Sequence, residues 1–419
     1  MEAADRPLEY QAARRQPQAA VAVLYAIEAM ASVGGTLMSV GIFFYMKDRF
    51  GWRMPQNFKL AAAQGLVYVP GALSAKWLAR RLGRRGALAA VYVVIAVLSL
   101  AAWRLAAAGA PSAAGVTAEL LAYTAVIGVS WPILESVGAG GDPRTIAHRV
   151  AMYNIVWPAA GAIAIGFEGV IIHYWTWGLF LVPAAMHVGS LVLLPFAGPL
   201  EADTGEAERA LRPEPELLRK RRLALWLSRT ALPATYTVVY GLMPMMPSLP
   251  ALRDMPTTLQ TAVADVWLLT RWLAFVALAR GTWWHTRPRV LLWAAVAMLV
   301  AYFGMTLPPT HGAWPAADLV SLIAWQALLG VALGMIYSGS LYFGMVLSEG
   351  STEHGGYHEA LIGLGWVLGP AAGAAAQLVR PDDVRVGVAA VGAVIAASVI
   401  TVLITAIAMS RPNGAGRHA

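Results

Sequence analysis

The amino-acid sequence predicts an all-α polytopic membrane protein with twelve transmembrane helices, arranged as two pseudo-symmetric six-helix bundles. Three observations support this fold class: twelve long apolar stretches, a composition of 58% hydrophobic and 13% charged residues, and one charged connector that divides the stretches into two sets of six. A helix needs roughly 20 apolar residues to cross a hydrocarbon core of about 30 Å. Inside lipid only helices or closed barrels satisfy their backbone polar groups, and stretches this long are helices.

The predicted spans follow one another with short connections. In the first half they are 19–46, 58–79, 87–108, 115–138, 150–173 and 175–199; in the second half they are 223–246, 258–279, 289–308, 316–347, 357–379 and 384–409. Residues 1–199 and 223–419 are therefore the two predicted bundles. The segment 200–222 between them is rich in Glu, Arg and Pro, and we expect it to be a solvated linker.

The positive charges indicate an orientation in the membrane. Most of the 31 Lys and Arg residues fall in alternate connections, beginning with the N-terminal segment. Cytoplasmic segments of membrane proteins carry an excess of Lys and Arg. Both termini and the linker are therefore predicted on the cytoplasmic side of a bacterial inner membrane. The net charge of +8 thus reflects orientation and does not indicate nucleic-acid binding.

The sequence also narrows the chemistry that we expect. The absence of Cys excludes disulfides and thiolate metal sites. The sequence contains no phosphate loop and no pair of His and carboxylate residues at metal-ligand spacing. No cofactor or metal is therefore predicted. The expected partners are the lipid bilayer, a small-molecule substrate and protons, and we expect the protein to be a monomer.

The first span carries a polar stripe around one carboxylate. The stripe consists of Tyr25, Glu28, Ser32, Gly35 and Ser39, whose spacing of three and four residues puts them on one helical face. Ionisable groups inside a membrane usually face a cavity or a partner. We therefore expect Glu28 to face a water-filled cavity and to exchange protons. The alternative is a packing face of small residues, with Glu28 satisfied by a neighbouring helix.

Polar and aromatic residues of other spans are predicted to line the same cavity. They are Gln64, Tyr68, Asn154, Trp157, Trp325, Gln326 and Tyr337. Tryptophan rings can stack on sugar rings or cations, although packing or interfacial anchoring is the alternative for any single Trp. Glu168, late in the fifth span, is expected in water near the outer end.

The eighth span contains two ionisable residues, Asp265 and Arg271. Six residues rotate a helix by about 600°, so the two side chains point about 120° apart and should not pair on one face. Arg271 is expected to meet Glu28 across the cavity or to bind an anionic group of the substrate. A purely structural ion pair is the alternative. Asp265 is the second candidate, after Glu28, for proton coupling.

Two motifs resemble those of the major facilitator superfamily. Between the second and third spans, Arg80-Arg81-Leu82-Gly83-Arg84-Arg85 resembles the end of the signature G-x-x-x-D-R-x-G-R-R, with Lys76 and Arg80 where the signature has Gly and Asp. In the eleventh span, the pattern G-x-x-x-G-P-x-x-G is matched by Gly365, Gly369, Pro370 and Gly373.

This resemblance implies two six-helix bundles around a central cavity that opens to one side at a time. The replaced signature Asp leaves two interpretations of the basic loop. In one, Arg80, Arg81, Arg84 and Arg85 form an inner gate with acidic residues; these are Glu135, Glu349, Glu353 and Glu359. In the other, the arginines only anchor the loop to anionic lipid headgroups.

The sequence therefore predicts a secondary transporter, not an enzyme, that moves a small organic solute by alternating access with proton coupling. An exporter of lipophilic or amphipathic compounds is the alternative within that class. Outside it, a polytopic membrane enzyme built around His358 or His148, or a nontransporting membrane sensor, remain open. A surface cleft around His358 would favour the enzyme.

Overall fold

The computed structural model describes residues 18–108, 111–139, 146–200, 215–307, 315–348, 352–381 and 383–410, and it is helical without strands in these ranges. The N-terminal part, residues 18–200, contains α1 (Gln18–Thr36), α2 (Ile42–Phe50), α3 (Met54–Ala106), α4 (Ala113–Ala139), α5 (Ile146–Tyr174) and α6 (Gly178–Leu193). The C-terminal part, residues 215–410, contains α7 (Pro215–Leu242), α8 (Thr257–Ala264), α9 (Val266–Ala279), α10 (Arg289–Thr306), α11 (Pro315–Ser348), α12 (Thr352–Val379) and α13 (Val384–Ser410).

Every predicted span overlaps an observed helix. Within the described residues, 10 helical segments are long and apolar enough to cross a membrane. One of them, α3, has 53 residues and contains two predicted spans. A straight helix of that length would measure about 80 Å, far more than a hydrocarbon core. Another predicted span falls in α7, which is not among the 10 segments and whose sequence includes Arg229 and several Ser, Thr and Tyr residues.

Gly83 interrupts α3 where the two predicted spans meet. Its backbone has φ 71° and ψ 160°, outside the helical region. Glycine adopts such positive φ values without steric cost because it has no Cβ. The chain therefore changes direction at this residue, within the basic loop between the second and third predicted spans.

Other helices also depart from regular geometry. A π-helical segment, Leu37–Gly41, joins α1 to α2. Asp265 separates α8 from α9. The helix α7 begins at Pro215, earlier than the predicted boundary at 223, so the end of the predicted linker is helical; residues 201–214 lie outside the described ranges.

Glycines bring the helices of the two parts close together. A Cβ on Gly65 of α3 would lie 2.7 Å from the backbone carbon of Trp366 in α12. Within the C-terminal part, a Cβ on Gly369 of α12 would lie 2.6 Å from the carbonyl oxygen of Thr237 in α7. Small residues permit such approach between membrane helices. The G-x-x-x-G-P-x-x-G segment therefore acts here as a packing surface.

Candidate functional site

The two parts of the chain contact each other near both ends of the molecule. At one end, the Lys76 end, Lys76 of α3 forms an ion pair with Glu353 of α12. At the other, the Lys47 end, Lys47 Nζ donates a hydrogen bond to the carbonyl oxygen of Pro247 at 2.8 Å. Lys47 lies near the end of α2, just before α3 begins at Met54. Residues 54 and 76 of α3 are about 33 Å apart along the helix, so the two contacts are separated by about the thickness of a hydrocarbon core. Both ends are bridged in this conformation.

Between these ends lies a buried group of ionisable residues, the carboxylate cluster, made of Glu135, His358 and Glu359. Glu135 belongs to α4 and the other two to α12, and their ligand atoms lie within 4.8 Å of one another. The Nε2 atom of His358 is 3.8 Å from Oε1 of Glu135. Gly355, one turn before Glu359, permits this approach, because a Cβ there would lie 3.0 Å from the carbonyl oxygen of Pro132.

Hydroxyl groups from both parts of the chain bind the carboxylate cluster. Tyr68 of α3 donates a short hydrogen bond to Glu359. Tyr337 of α11 donates to Oε1 of Glu135 over 3.4 Å. The Ser340 hydroxyl lies 3.0 Å from Nδ1 of His358. Within the described residues, Glu135, His358 and Glu359 are also the group that could hold a metal ion. The same arrangement can hold and release protons between the two parts.

A second group, the arginine pocket, adjoins the carboxylate cluster. Its centre is Arg271 of α9, whose side chain is 1% exposed. The guanidinium carbon lies 4.6 Å from the ring centroid of Trp157 and 4.8 Å from that of Tyr337. Tyr236 and Phe275 complete the pocket, each with its ring centroid 5.6 Å from that carbon. The Tyr337 ring lies beside Arg271 and its hydroxyl donates to Glu135, so this residue links the arginine pocket to the carboxylate cluster.

Packing against α11 places Arg271. A Cβ on Gly334 of α11 would lie 3.3 Å from the backbone oxygen of Arg271 and 3.0 Å from the Cβ of Ala274. These short approaches hold α9 and α11 together along this segment. Arg271 Nη2 donates a hydrogen bond to the Tyr236 hydroxyl at 3.3 Å, which ties α9 to α7.

Glu28 lies elsewhere, inside the N-terminal part. It is 1% exposed, and neither carboxylate oxygen has a hydrogen-bond partner among the described residues. Tyr25, Tyr92 and Tyr153 lie within electrostatic range of it. The structure does not join Glu28 to Arg271, because the guanidinium binds Tyr236 and aromatic rings instead.

The rest of the polar stripe of the first span is buried or packed. Ser32 is buried, and Ser39 donates a hydrogen bond to the carbonyl oxygen of Gly35 at 2.6 Å. A Cβ on Gly35 would lie 3.2 Å from the indole of Trp131 in α4. In this conformation Gly35 of the stripe packs against α4, as in the alternative interpretation, but Glu28 is not hydrogen-bonded to a neighbouring helix among the described residues, as that interpretation also required.

The basic loop makes different contacts from those predicted for an inner gate. The ion pair to Glu353 comes from Lys76, whereas Arg81 lies over the Trp77 ring at 5.1 Å. Arg80 is within electrostatic range of Glu353. Glu135 and Glu359 are buried in the carboxylate cluster, away from this loop, and Glu349 lies outside the described residues.

Arg84 and Arg85 bind the end of the N-terminal part. Arg84 donates to the carbonyl oxygen of Leu200 at 3.0 Å, and Arg85 donates to the carbonyl oxygens of Pro195 and Gly198. Because the chain reverses at Gly83, both guanidinium groups point back toward the residues that follow α6. These two arginines therefore make hydrogen bonds within the N-terminal part. At this end of the molecule, Lys76 forms the ion pair with the C-terminal part.

Other predicted cavity residues make interhelical hydrogen bonds. Gln64 donates to the carbonyl oxygen of Met38, a residue of the π-helical segment, at 3.3 Å. Gln326 donates to the carbonyl oxygen of Val263 at 2.9 Å, next to the break at Asp265. Asn154 is buried in α5, and Trp325 packs against Gly304 of α10.

Two buried acidic residues, Glu168 in α5 and Asp265 between α8 and α9, lie nearer the Lys47 end. Glu168 is 0% exposed, not in water as expected, and its carboxylate lies against Gly41 in the π-helical segment. Asp265 is also buried, and its Oδ1 atom has no hydrogen-bond partner among the described residues. Glu168 lies within electrostatic range of Asp265.

Sequence reasoning missed several members of the arginine pocket and of its surroundings. Tyr236 and Tyr240 are four residues apart in α7, a spacing that puts both rings on one face. The Tyr240 ring stacks on Trp366 at 3.7 Å between centroids and 4° between planes. The spacing was visible in the sequence, but which helix that face meets was not. His358, considered as an enzyme residue, is 2% exposed within the carboxylate cluster and not in a surface cleft.

These features define a polytopic helical protein with ionisable groups at the contact between its N-terminal and C-terminal parts. No family model matches the chain, and no curated protein matches it. Among solved structures, a mutant of the nucleoside transporter NupG is similar, with a TM-score of 0.61 and 12% sequence identity; the match covers 94% of this chain and 100% of that one. At this identity the likeness is one of fold.

Proposed function

We propose that this protein is a secondary transporter that moves a small organic solute across a membrane by alternating access, coupled to protons. The observation that carries this proposal is the carboxylate cluster at the contact between the two parts of the chain. A rocking motion of one part against the other would separate Glu135 from His358 and Glu359. The surroundings of these carboxylates, and hence their proton affinity, would change with each transport cycle.

The proposed architecture has twelve crossings in two six-helix bundles. It counts α3 as two crossings on either side of Gly83 and includes α7. The bundles are residues 1–199 and 223–419, with 200–222 between them, and the Lys76 end is the cytoplasmic end. The fold-level likeness to a transporter and the ten apolar segments support this arrangement.

Glu28 and Asp265 are the further proton-binding candidates in this proposal. Both are buried, as a group that titrates only when a pathway opens would be. The ionisable side chains of the described residues that lie within electrostatic range of Glu28, namely Tyr25, Tyr92, Tyr153 and Glu135, belong to the N-terminal part. We therefore assign the principal coupling role to Glu135 and Glu359 and a secondary one to Glu28.

Liposomes test the transport proposal directly. The purified full-length protein is first screened for solutes that raise its melting temperature, because binding to the folded state stabilises it. The solutes that do so are offered to proteoliposomes with and without an inward proton gradient. We expect uptake above that of empty liposomes, with accumulation only in the gradient. Binding without uptake in either condition would contradict the proposal and would favour a sensor.

The solute class is open to the same assay. A nucleoside is one candidate, on the likeness to a nucleoside transporter. Export of amphipathic compounds is the other candidate, and it predicts that inverted vesicles accumulate the compound.

A further inference from the structure

Arg271 is a buried cation without an acidic partner. No carboxylate of the described residues forms an ion pair with it, and its Nε atom has no hydrogen-bond partner there. Its one hydrogen bond goes to the neutral hydroxyl of Tyr236. Buried charges in proteins are usually paired, because water no longer stabilises them. The expected structural ion pair is therefore missing, and an external anion would complete the site.

The surroundings of Arg271 select the shape of that anion. Trp157 and Tyr337 approach the guanidinium from α5 and α11, which belong to different parts of the chain. Their rings offer flat apolar surfaces beside the charge. A guanidinium fork matches a carboxylate through two parallel hydrogen bonds, a geometry that an ammonium or a neutral donor cannot reproduce.

We infer that Arg271 binds the carboxylate of a small aromatic organic acid, whose ring would replace the direct contact that Trp157 and Tyr337 make in this conformation, at 5.4 Å between their centroids. This inference rests on the proposed transport function and names the class of its substrate. It makes the arginine pocket the substrate site and the carboxylate cluster the adjoining proton site. A solute held between α5 and α11 contacts both moving parts, as alternating access requires.

The ionisable groups facing Arg271 link the two sites. From α12, Glu359 and His358 lie within electrostatic range of the guanidinium; from α7 and α11, the facing groups are the hydroxyls of Tyr236 and Tyr337. Glu135 reaches the pocket through its hydrogen bond from Tyr337. An ionised Glu359 would compensate the charge of Arg271 and compete with the substrate carboxylate.

The test compares acids with their uncharged amides. Benzoate and nicotinate, beside benzamide and nicotinamide, are added to the purified full-length protein in detergent at about pH 6, and the melting temperature is followed against concentration. We expect at least one acid to raise the melting temperature in a saturable manner, with its amide roughly tenfold weaker or inactive.

Variants locate the effect. Arg271→Gln should weaken acid binding by roughly tenfold or more, and Arg271→Lys should weaken it as well because an ammonium lacks the fork. Arg104→Gln is the matched control, since Arg104 also lies over a tryptophan, Trp103, at 5.7 Å but is exposed. This control should keep the wild-type affinity for acids.

Several outcomes would overturn the inference. They are equal stabilisation by acids and amides, no stabilisation by any acid, and unchanged acid binding in a folded Arg271→Gln protein. If that variant does not fold, the comparison of acids with amides on the wild type still decides. Uptake of neutral solutes only would refute the substrate class and leave transport standing. Acid binding through Arg271 without uptake in liposomes would refute transport and leave the binding site standing.

Discussion

Glu28 and the carboxylate cluster differ in which part of the chain supplies their neighbours. Both lie in the interior of the helical region and both are buried. Among the described residues, Glu28 has no hydrogen-bond partner, and the ionisable side chains within electrostatic range of it belong to the N-terminal part. Glu359 accepts a hydrogen bond from Tyr68, so its nearest partner comes from the other part of the chain. In the proposed transport cycle, a carboxylate between the two parts would change its surroundings, whereas one inside a single part would not.

The largest expected effect separates these two sites by transport. Glu359→Gln should abolish accumulation driven by a proton gradient but retain exchange of substrate between the two sides of the vesicle. The amide keeps the shape of the side chain but cannot titrate. Glu28→Gln should reduce accumulation by a smaller factor. Counterflow and gradient-driven uptake are measured in the same vesicles, and a greater loss in Glu28→Gln would reverse the assignment.

Stability should separate the two sites as well, again with the larger loss at Glu359. Glu359→Leu leaves the buried Tyr68 hydroxyl without its acceptor, and we expect a loss of about 1–3 kcal/mol in unfolding free energy. Glu28→Leu replaces a carboxylate without a partner, so it should be neutral or stabilising. Chemical denaturation in detergent compares the two variants with the wild type. Equal destabilisation by both would mean that Glu28 has a polar partner.

The ion pair at the Lys76 end should have a smaller effect on stability. Lys76 and Glu353 are 36% and 50% exposed, and pairs of this kind contribute roughly 0–1 kcal/mol. Lys76→Glu should favour opening at this end through repulsion, and the exchanged pair Lys76→Glu with Glu353→Lys should restore closure. Arg81→Glu, which reverses a charge that lies on Trp77, is the control. Accessibility of engineered cysteines is the measurement; opening equally in the control would assign the effect to the whole loop.

The smallest expected effect lies outside the membrane segments, at His285. Burial, and secondarily the nearby charge of Arg221, lowers its pKa from 6.5 to about 4. The folded protein therefore binds this proton less well than the unfolded chain, and stability falls as the pH drops from about 6.5 toward 4. His285→Gln should remove this part of the pH dependence without altering that of transport. Thermal melts across this pH range check it; an unchanged slope would contradict it.

Hydropathy was sufficient for the helices but not for their contacts. Apolar length predicts a helix at every span, and the signature motif contains Gly83, the residue at which φ is 71° and α3 is interrupted. Periodicity showed that Tyr25, Glu28 and Ser32 share a face. It did not show which helix that face meets, because this depends on packing between distant segments.

The two groups at the site show the same limit. Glu135 and Glu359 were assigned to a gate beside the arginines, since both precede or follow polar loops in the sequence. Their burial depends on Gly355, which permits α12 to approach Pro132 of α4. Likewise, the burial of Glu168 depends on the space that Gly41 leaves in the π-helical segment, an irregularity without a hydropathy signal.

Distances across both ends of the molecule test the central claim most directly. The chain has no native cysteine, so spin labels can be placed at will. One pair, Trp77→Cys with Tyr357→Cys, spans the Lys76 end, and another, Arg49→Cys with Arg253→Cys, spans the Lys47 end. Between about pH 8 and pH 5, we expect one distance to lengthen while the other does not, and Glu359→Gln to abolish this response but Glu28→Gln to preserve it. Distances that stay constant, or that lengthen together at both ends, would contradict alternating access governed by the carboxylate cluster.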